Sequence, residues 1–193
     1  MPRFRLLAVL GLIAAAVAFA QSPQPPKKDP QSAIEPRSAP GEGQKFLAKF
    51  VGTWEVKKTF HPRTGDPATL SGTCVQEMTH GGRFLKSEFT FEKDGEKSTG
   101  TGTIGFEADS KKFTSTWIDS RSTRMSFRQS KEEFDGKQIE LHAAGLGAES
   151  GRASRTVTKL EADGEKIVHT QYGAGEGGKE RVVMELVMTK KSK

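Results

Sequence analysis

The chain contains no asparagine, one cysteine, one tyrosine and two tryptophans. Without asparagine there is no Asn-x-Ser/Thr acceptor for N-glycosylation. With Cys74 alone there is no intramolecular disulfide, so whatever folds must be held by its core. Cys74 alternates in phase with Leu70, Gly72 and Met78, a pattern that predicts a small buried apolar residue rather than a reactive thiol. Few rings are available for base stacking, and Lys and Arg are scattered along the chain. A formal net charge of +6 spread in this way makes no concentrated nucleic-acid footprint. Beyond residue 20 no apolar run is long enough to cross a bilayer, so the mature form is expected to lack a transmembrane segment.

The one long apolar run lies at the start. Arg3 and Arg5 precede the apolar residues 6–20, which close on Ala18-Phe19-Ala20, a small-x-small cleavage pattern. Residues 1–20 therefore read as a signal peptide cut before Gln21, which predicts a secreted or periplasmic protein; an uncleaved anchor is the alternative. Cleavage removes two arginines and no acids, taking the formal charge from +6 to +4. No cysteine stands near the cut, which excludes a lipoprotein anchor. Six of the nine prolines fall between Gln21 and Pro40, among few apolar residues. Such a segment cannot bury enough surface to offset the entropy of ordering, so residues 21–43 read as a Pro-rich, disordered linker and 44–193 as the folded domain.

No long helical pattern follows Gly52. Apolar residues instead recur at period two, which places strands at 53–60, 69–79, 83–93, 98–107, 112–119, 123–134, 137–144, 154–161, 166–172 and 179–190. Asp94-Gly95, Asp135-Gly136 and Asp163-Gly164 each separate two such runs, and Asp-Gly is favoured in tight hairpin turns. Sequential neighbours should therefore pair. About ten strands in an open sheet would leave two long unpaired ladders, so the expected fold is an all-β, up-and-down antiparallel β-barrel, with a two-sheet sandwich as the alternative. Phe46, Leu47 and Phe50 at helical spacing predict a short helix that caps one mouth, and Trp54 on the first strand is expected to plug the barrel floor.

Gly52-Thr53-Trp54, Gly81-Gly82-Arg83-Phe84-Leu85 and Thr116-Trp117-Ile118-Asp119-Ser120 resemble the bacterial family known as domain of unknown function 1579. The resemblance extends over most of the chain from about Phe46 to Lys190. It implies a calycin-like barrel, and Gly-x-Trp on a first strand is similar to the lipocalin signature. Calycin relatives carry small hydrophobic molecules, and some haem-binding members use a histidine from a late strand. Within the resemblance Trp54 and Arg83 are expected to serve structure.

Gly100-x-Gly102-x-x-Gly105 matches the dinucleotide fingerprint letter for letter, but that motif opens a helix whereas these glycines sit in a strand pattern. There they are expected to permit sharp coiling or a close approach. The histidines are His61, His80, His142 and His169, with no pair at helical i, i+4 spacing, so no metal site is expected. His169 alternates with Ile167 and Gln171, and both polar residues are expected to face the interior as a ligand's polar contacts. Trp117 would form an apolar wall, and Asp119 a polar group at one end of the cavity. Asp119 has two readings: a rim ion pair with Arg121, Arg124 or Arg83, or a ligand-orienting group. No cofactor is expected from the residues alone; haem held by His169 is the one option kept open. There is no Gly-x-Ser-x-Gly elbow, and Glu132-Glu133 would point to opposite faces of a strand. No catalytic residue is therefore named, and enzyme status stays open. The leading reading is an exported barrel that binds a small, mostly apolar ligand. The alternatives are a structural or protein-interaction domain with a filled core, and an enzyme using polar groups at the mouth.

Overall fold

Alternation from Gly52 onward is realised as one continuous antiparallel sheet. The computed structural model describes residues 31, 34, 38–144 and 155–191. Among them the order is α1 (Glu42–Ala48), β1 (Gly52–Phe60), β2 (Ala68–Thr79), β3 (Phe84–Lys93), β4 (Glu96–Glu107), β5 (Lys112–Asp119), β6 (Ser122–Gln129), β7 (Gln138–Ala144), β8 (Arg155–Glu161), β9 (Lys166–Ala174) and β10 (Glu180–Lys190). The expected signal peptide and most of the expected linker lie outside the described residues.

Every strand pairs with its sequence neighbour, and β1 also pairs with β10, from Trp54 opposite Lys190 to Phe60 opposite Met184. The sheet is therefore a closed barrel. Closure abolishes the two unpaired edges that an open sheet of this width would carry, and it rules out the sandwich.

Directly opposed residues in an antiparallel ladder share a face, so the registers sort the wall into an inner and an outer set. Trp54 faces Cys74, Cys74 faces Phe89, and Phe89 faces Gly100. Continuing from Gly100 through Asp119 and Trp117 on β5, the same phase reaches Ser126 and Arg128 on β6, and then Ala143 and Leu141 on β7. Thr156 and Thr158, then Gln171 and His169, then Met184 and Leu186, and finally Lys58 on β1 complete the circuit.

One end of the barrel is sealed. Phe46, Leu47 and Phe50 of the helical segment are buried with Trp54, Phe106 and Phe113. Gly43 lets α1 lie directly on the Phe106 ring, since a Cβ there would meet that ring at 2.1 Å. The Gln44 side chain ties the segment down: its Oε1 accepts the Gly41 N–H at 2.8 Å and its Nε2 donates to the Phe106 carbonyl at 3.0 Å. Trp54 is fully buried, and its Nε1 donates to the Phe50 carbonyl at 3.0 Å, linking helix segment and first strand at the barrel floor.

Three expectations need correction. The sixth strand ends at Gln129 rather than at residue 134, because the chain turns under the barrel there. Phe134 joins the floor cluster, with ring centroids 4.9 Å from both Phe46 and Phe113. Glu132 and Glu133 consequently lie outside any strand, and Glu133 sits 3.5 Å from Lys111. Of the three Asp-Gly pairs only Asp94-Gly95 makes a two-residue hairpin, with φ of 53° and 81° between paired Lys93 and Glu96. Asp163-Gly164 lies in a short 3-10 turn and Asp135-Gly136 in the longer floor segment. Lys190 ends β10, 3.5 Å from Glu165 and 5.7 Å from the Trp54 ring.

Candidate functional site

The inner face changes character along the barrel axis. Near α1 the inward residues Trp54, Leu85, Phe113, Ile139 and Ile167 are almost wholly inaccessible. Toward the other end, inward Lys58, Phe60, Leu70, Trp117, Asp119, Ser126, Arg128, Ala143, His169 and Gln171 all keep partial exposure. An inward side chain in a closed barrel gains accessible surface only from the lumen or its mouth. The half remote from α1 is therefore filled less completely than the floor.

Its polar groups come from separate strands. The β9 histidine, His169, is held at Nδ1 by the Thr158 hydroxyl on β8, 2.8 Å away. Burial, with the nearby positive charge of Arg128, pulls the His169 pKa down to about 4, so the ring is neutral at physiological pH. Arg128 lies two strands away from β8 in the wall order, so its field acts on His169 across the interior. Gln171 shares the His169 face, one residue pair nearer the mouth, opposite Thr156 and Met184. Deeper in, Gln76 Nε2 donates to Ser87 Oγ at 2.9 Å, while the buried Gln76 Oε1 has no partner. An orphaned inward acceptor calls for a water or a ligand donor.

Trp117 forms an inner wall. Its ring packs edge-on against Phe89 at 5.5 Å and lies over Gly100, where a Cβ would stand 2.3 Å from the indole. The strand glycines that mimic a dinucleotide fingerprint thus make room for ring systems: Gly100 and Gly102 for Trp117, Gly105 for the outward Phe84. Trp117 Nε1 donates to Asp119 Oδ2 at 2.9 Å, and Asp119 Oδ1 accepts the Arg121 backbone N–H at 2.9 Å. Asp119 therefore fixes the indole and the β5–β6 turn. It forms no ion pair with Arg83, whose guanidinium lies at the helix end of the wall and donates to the carbonyls of Ser38 and His80.

Two lumen residues escaped the sequence reading. Lys58 stands in the same phase as Trp54 and Val56, opposite Leu70 and Leu186, with its ammonium 4.8 Å from the Phe60 ring and 4.6 Å from the Phe91 ring. Burial lowers its pKa, and Arg121 adds to that lowering against the opposing effect of Asp119. Arg128 stands in phase with Ser126, opposite Ser115 and Ala143, and burial lowers its pKa too. The signal for Lys58 was a cation in the apolar phase of a strand, whereas Arg128 shares its phase with Arg124 and Ser126 and carries no such signal.

The other histidines sit apart. His142 faces outward beside Glu140 at 3.2 Å, in a surface network where Arg155 also reaches Glu140 and Glu180. His80 is exposed against Phe84. Among the described residues no three His, Cys, Asp or Glu side chains converge as a metal site. Cys74 is fully buried, and burial pushes its thiol up to about 12. A separate groove of about 520 Å³ lies outside the wall beside Arg83, Phe84, Lys112 and Gln129.

With this geometry in hand, the family model described as protein of unknown function (DUF1579) matches residues 39–190. The chain belongs to that family. Among solved structures, this DUF1579 barrel is similar to Rv2717c from M. tuberculosis, with a TM-score of 0.57 at 15% identity, covering 81% of this chain and 100% of that one. It is also similar to the S-type phycobiliprotein lyase CPES from Guillardia theta, with a TM-score of 0.51 at 13% identity, covering 84% of this chain and 98% of that one. At such identities the likeness shows the fold alone. Among curated proteins no relative matches. No helix among the described residues is long and apolar enough to cross a membrane.

Proposed function

We infer that this barrel is an exported binding protein that holds one small, largely apolar ligand in the half of the lumen remote from α1. The observation that carries the reading is the partial exposure of inward Trp117, His169, Gln171 and Arg128 within a closed wall. A filled core would leave these side chains buried. Here apolar surface from Trp117, Phe89 and Leu186 lies beside a few polar groups able to orient a guest, the usual composition of a ligand site. His169 contributes a neutral imidazole anchored at Nδ1 by Thr158, leaving Nε2 to face a guest. Haem ligation by that nitrogen is a special case of the same reading, and a neutral, anchored imidazole suits it. One barrel of this architecture is a phycobiliprotein lyase, which is compatible with the reading and adds no residue to it.

A second reading, a protein-interaction domain, draws on the outer face. Ile118, Met125 and Phe127 on β5 and β6 are 47%, 46% and 44% exposed, an apolar cluster on one side of the wall.

Native mass spectrometry of the protein purified from its own host tests the leading reading. The expected result is a chain beginning at Gln21 that carries one small molecule, released on denaturation, with a Soret band only if that molecule is haem. A chain still carrying residues 1–20 means an uncleaved membrane anchor in place of a cleaved signal peptide. A bare chain that also fails to take up any amphiphile contradicts binding. Association into dimers abolished by Phe127→Ser, with an empty barrel, favours the second reading.

A further inference from the structure

We propose that the lumen selects an amphipathic anion, a short acyl chain with a carboxylate or phosphate head, and that Arg128 and Lys58 hold the head. The proposal rests on the lumen being a ligand site and adds the ligand's chemical class.

The argument begins with the charges that face the lumen. Around the circuit of paired residues Lys58 and Arg128 are cations in the inward phase; nearer the mouth that phase also carries Arg124, Arg181 and Lys93, with Asp119 and Glu96 as its carboxylates. Asp119 is already engaged at both oxygens by the Trp117 and Arg121 N–H groups. Among the described residues no carboxylate lies within ion-pair distance of Lys58, whose ammonium rests on the Phe60 and Phe91 rings. Arg128 has a further partner within the protein, and five N–H donors allow a guanidinium to hold a second group as well. Arg121 and Arg124 stand exposed at the turn and start of β6, at the mouth. Among the described residues the inward phase of this half is therefore net positive.

That balance decides between guest types. A neutral aliphatic guest would strip water from Lys58 and Arg128 and return nothing to their charges, which is costly for buried ions. An anionic head replaces that water with charge-assisted hydrogen bonds, while the chain covers Trp117, Phe89 and Leu186. A cationic guest would add repulsion. From His169 to Gly173, β9 advances roughly 13 Å along the strand at about 3.3 Å per residue, less when strand tilt is allowed. A chain of about ten carbons fits that depth.

The experiment is isothermal titration of the full mature chain with four ligands sharing one ten-carbon chain: decanoate, decyl phosphate, 1-decanol and decyltrimethylammonium. Decanoate or decyl phosphate should bind with one site per chain and at least about tenfold more tightly than 1-decanol, in line with a charge-assisted contact. Which of the two binds better distinguishes a carboxylate from a phosphate head. Arg128→Gln should weaken the anion by about tenfold or more and change 1-decanol by less than about twofold, and Lys58→Gln should act in the same direction with a smaller effect. Arg128→Lys, which keeps the charge, should recover part of the loss. Decanol binding to the variant shows that it remains folded. If 1-decanol or the cation binds as tightly as the anions, or if neither substitution touches anion affinity, the anion proposal fails while the lumen site stands. If none of the four binds, the lumen site itself fails.

Discussion

Trp54→Ala removes the largest fully buried side chain of the protein from the point where helix, first strand and floor meet. Its indole is inaccessible, its neighbours are the floor residues Phe46, Leu47 and Phe50, and its N–H is paired to the Phe50 carbonyl at 3.0 Å. Lost burial and the residual cavity together cost about 3–5 kcal/mol for a buried tryptophan truncated to alanine. The Phe50 carbonyl is then left without its donor, and a buried group in that position costs about 1–3 kcal/mol more if no water replaces it. A domain whose total stability is on the order of 5–15 kcal/mol would lose a large fraction of it. Trp54→Phe separates the two contributions: most of the volume stays and only the hydrogen bond goes, so about 1–2 kcal/mol is expected. Urea unfolding followed by far-ultraviolet circular dichroism measures both, since tryptophan fluorescence changes with the substitution itself. A loss below about 1 kcal/mol for Trp54→Ala would refute the floor-plug reasoning.

The His169 pKa supplies a pH test. The folded value of about 4 lies below the ordinary 6.5, so the unfolded chain takes up a proton that the folded one resists; stability falls as pH drops from about 6.5 to about 4, by at most about 3 kcal/mol. Urea midpoints at several pH values should show this slope between pH 6.5 and 5 in wild type and not in His169→Gln; identical slopes would contradict it. Gly100→Ala sets a methyl 2.3 Å from the Trp117 indole and should cost about 1–3 kcal/mol by overpacking, with a changed near-ultraviolet signal; an unchanged signal would mean that the ring is not held there. Deleting residues 1–37 should leave the thermal midpoint nearly unchanged. Deleting 1–43 should lower it measurably, because the second truncation also removes the Ser38 carbonyl bound by Arg83 and the start of α1; equal midpoints would show that these contacts contribute nothing.

The barrel was legible because its wall has two unlike sides. Residues such as Leu85, Ser87, Phe89 and Phe91 alternate with polar neighbours, and that period survives wherever one face meets the core. What failed were the places where a segment leaves the wall. Residues 130–134 carry no turn dipeptide before Asp135-Gly136 to mark the end of the strand, yet Phe134 is drawn into the floor by Phe46 and Phe113, contacts that no local pattern encodes. The β1–β10 seam was inferred from edge avoidance and not from any residue, since Trp54 and Lys190 are too far apart in sequence to signal their pairing. The candidate site shows the same division. His169 and Gln171 follow from β9 phase, whereas the placement of Arg128 and Lys58 on the same lumen depends on closure of the whole circuit. For Lys58 the clue was local all the same: it interrupts Trp54, Val56 and Phe60 on one face, and burying a lysine there needs a reason.

The central claim is that a guest enters beside Trp117 and leaves the floor untouched. Fluorine nuclear magnetic resonance of protein labelled with 5-fluorotryptophan reads both indoles separately, with Trp117→Phe assigning the two signals. On addition of decanoate, and then of 1-decanol, the Trp117 resonance should shift saturably at one equivalent per chain while the Trp54 resonance stays nearly fixed. A Trp117 resonance that neither ligand moves would contradict the account.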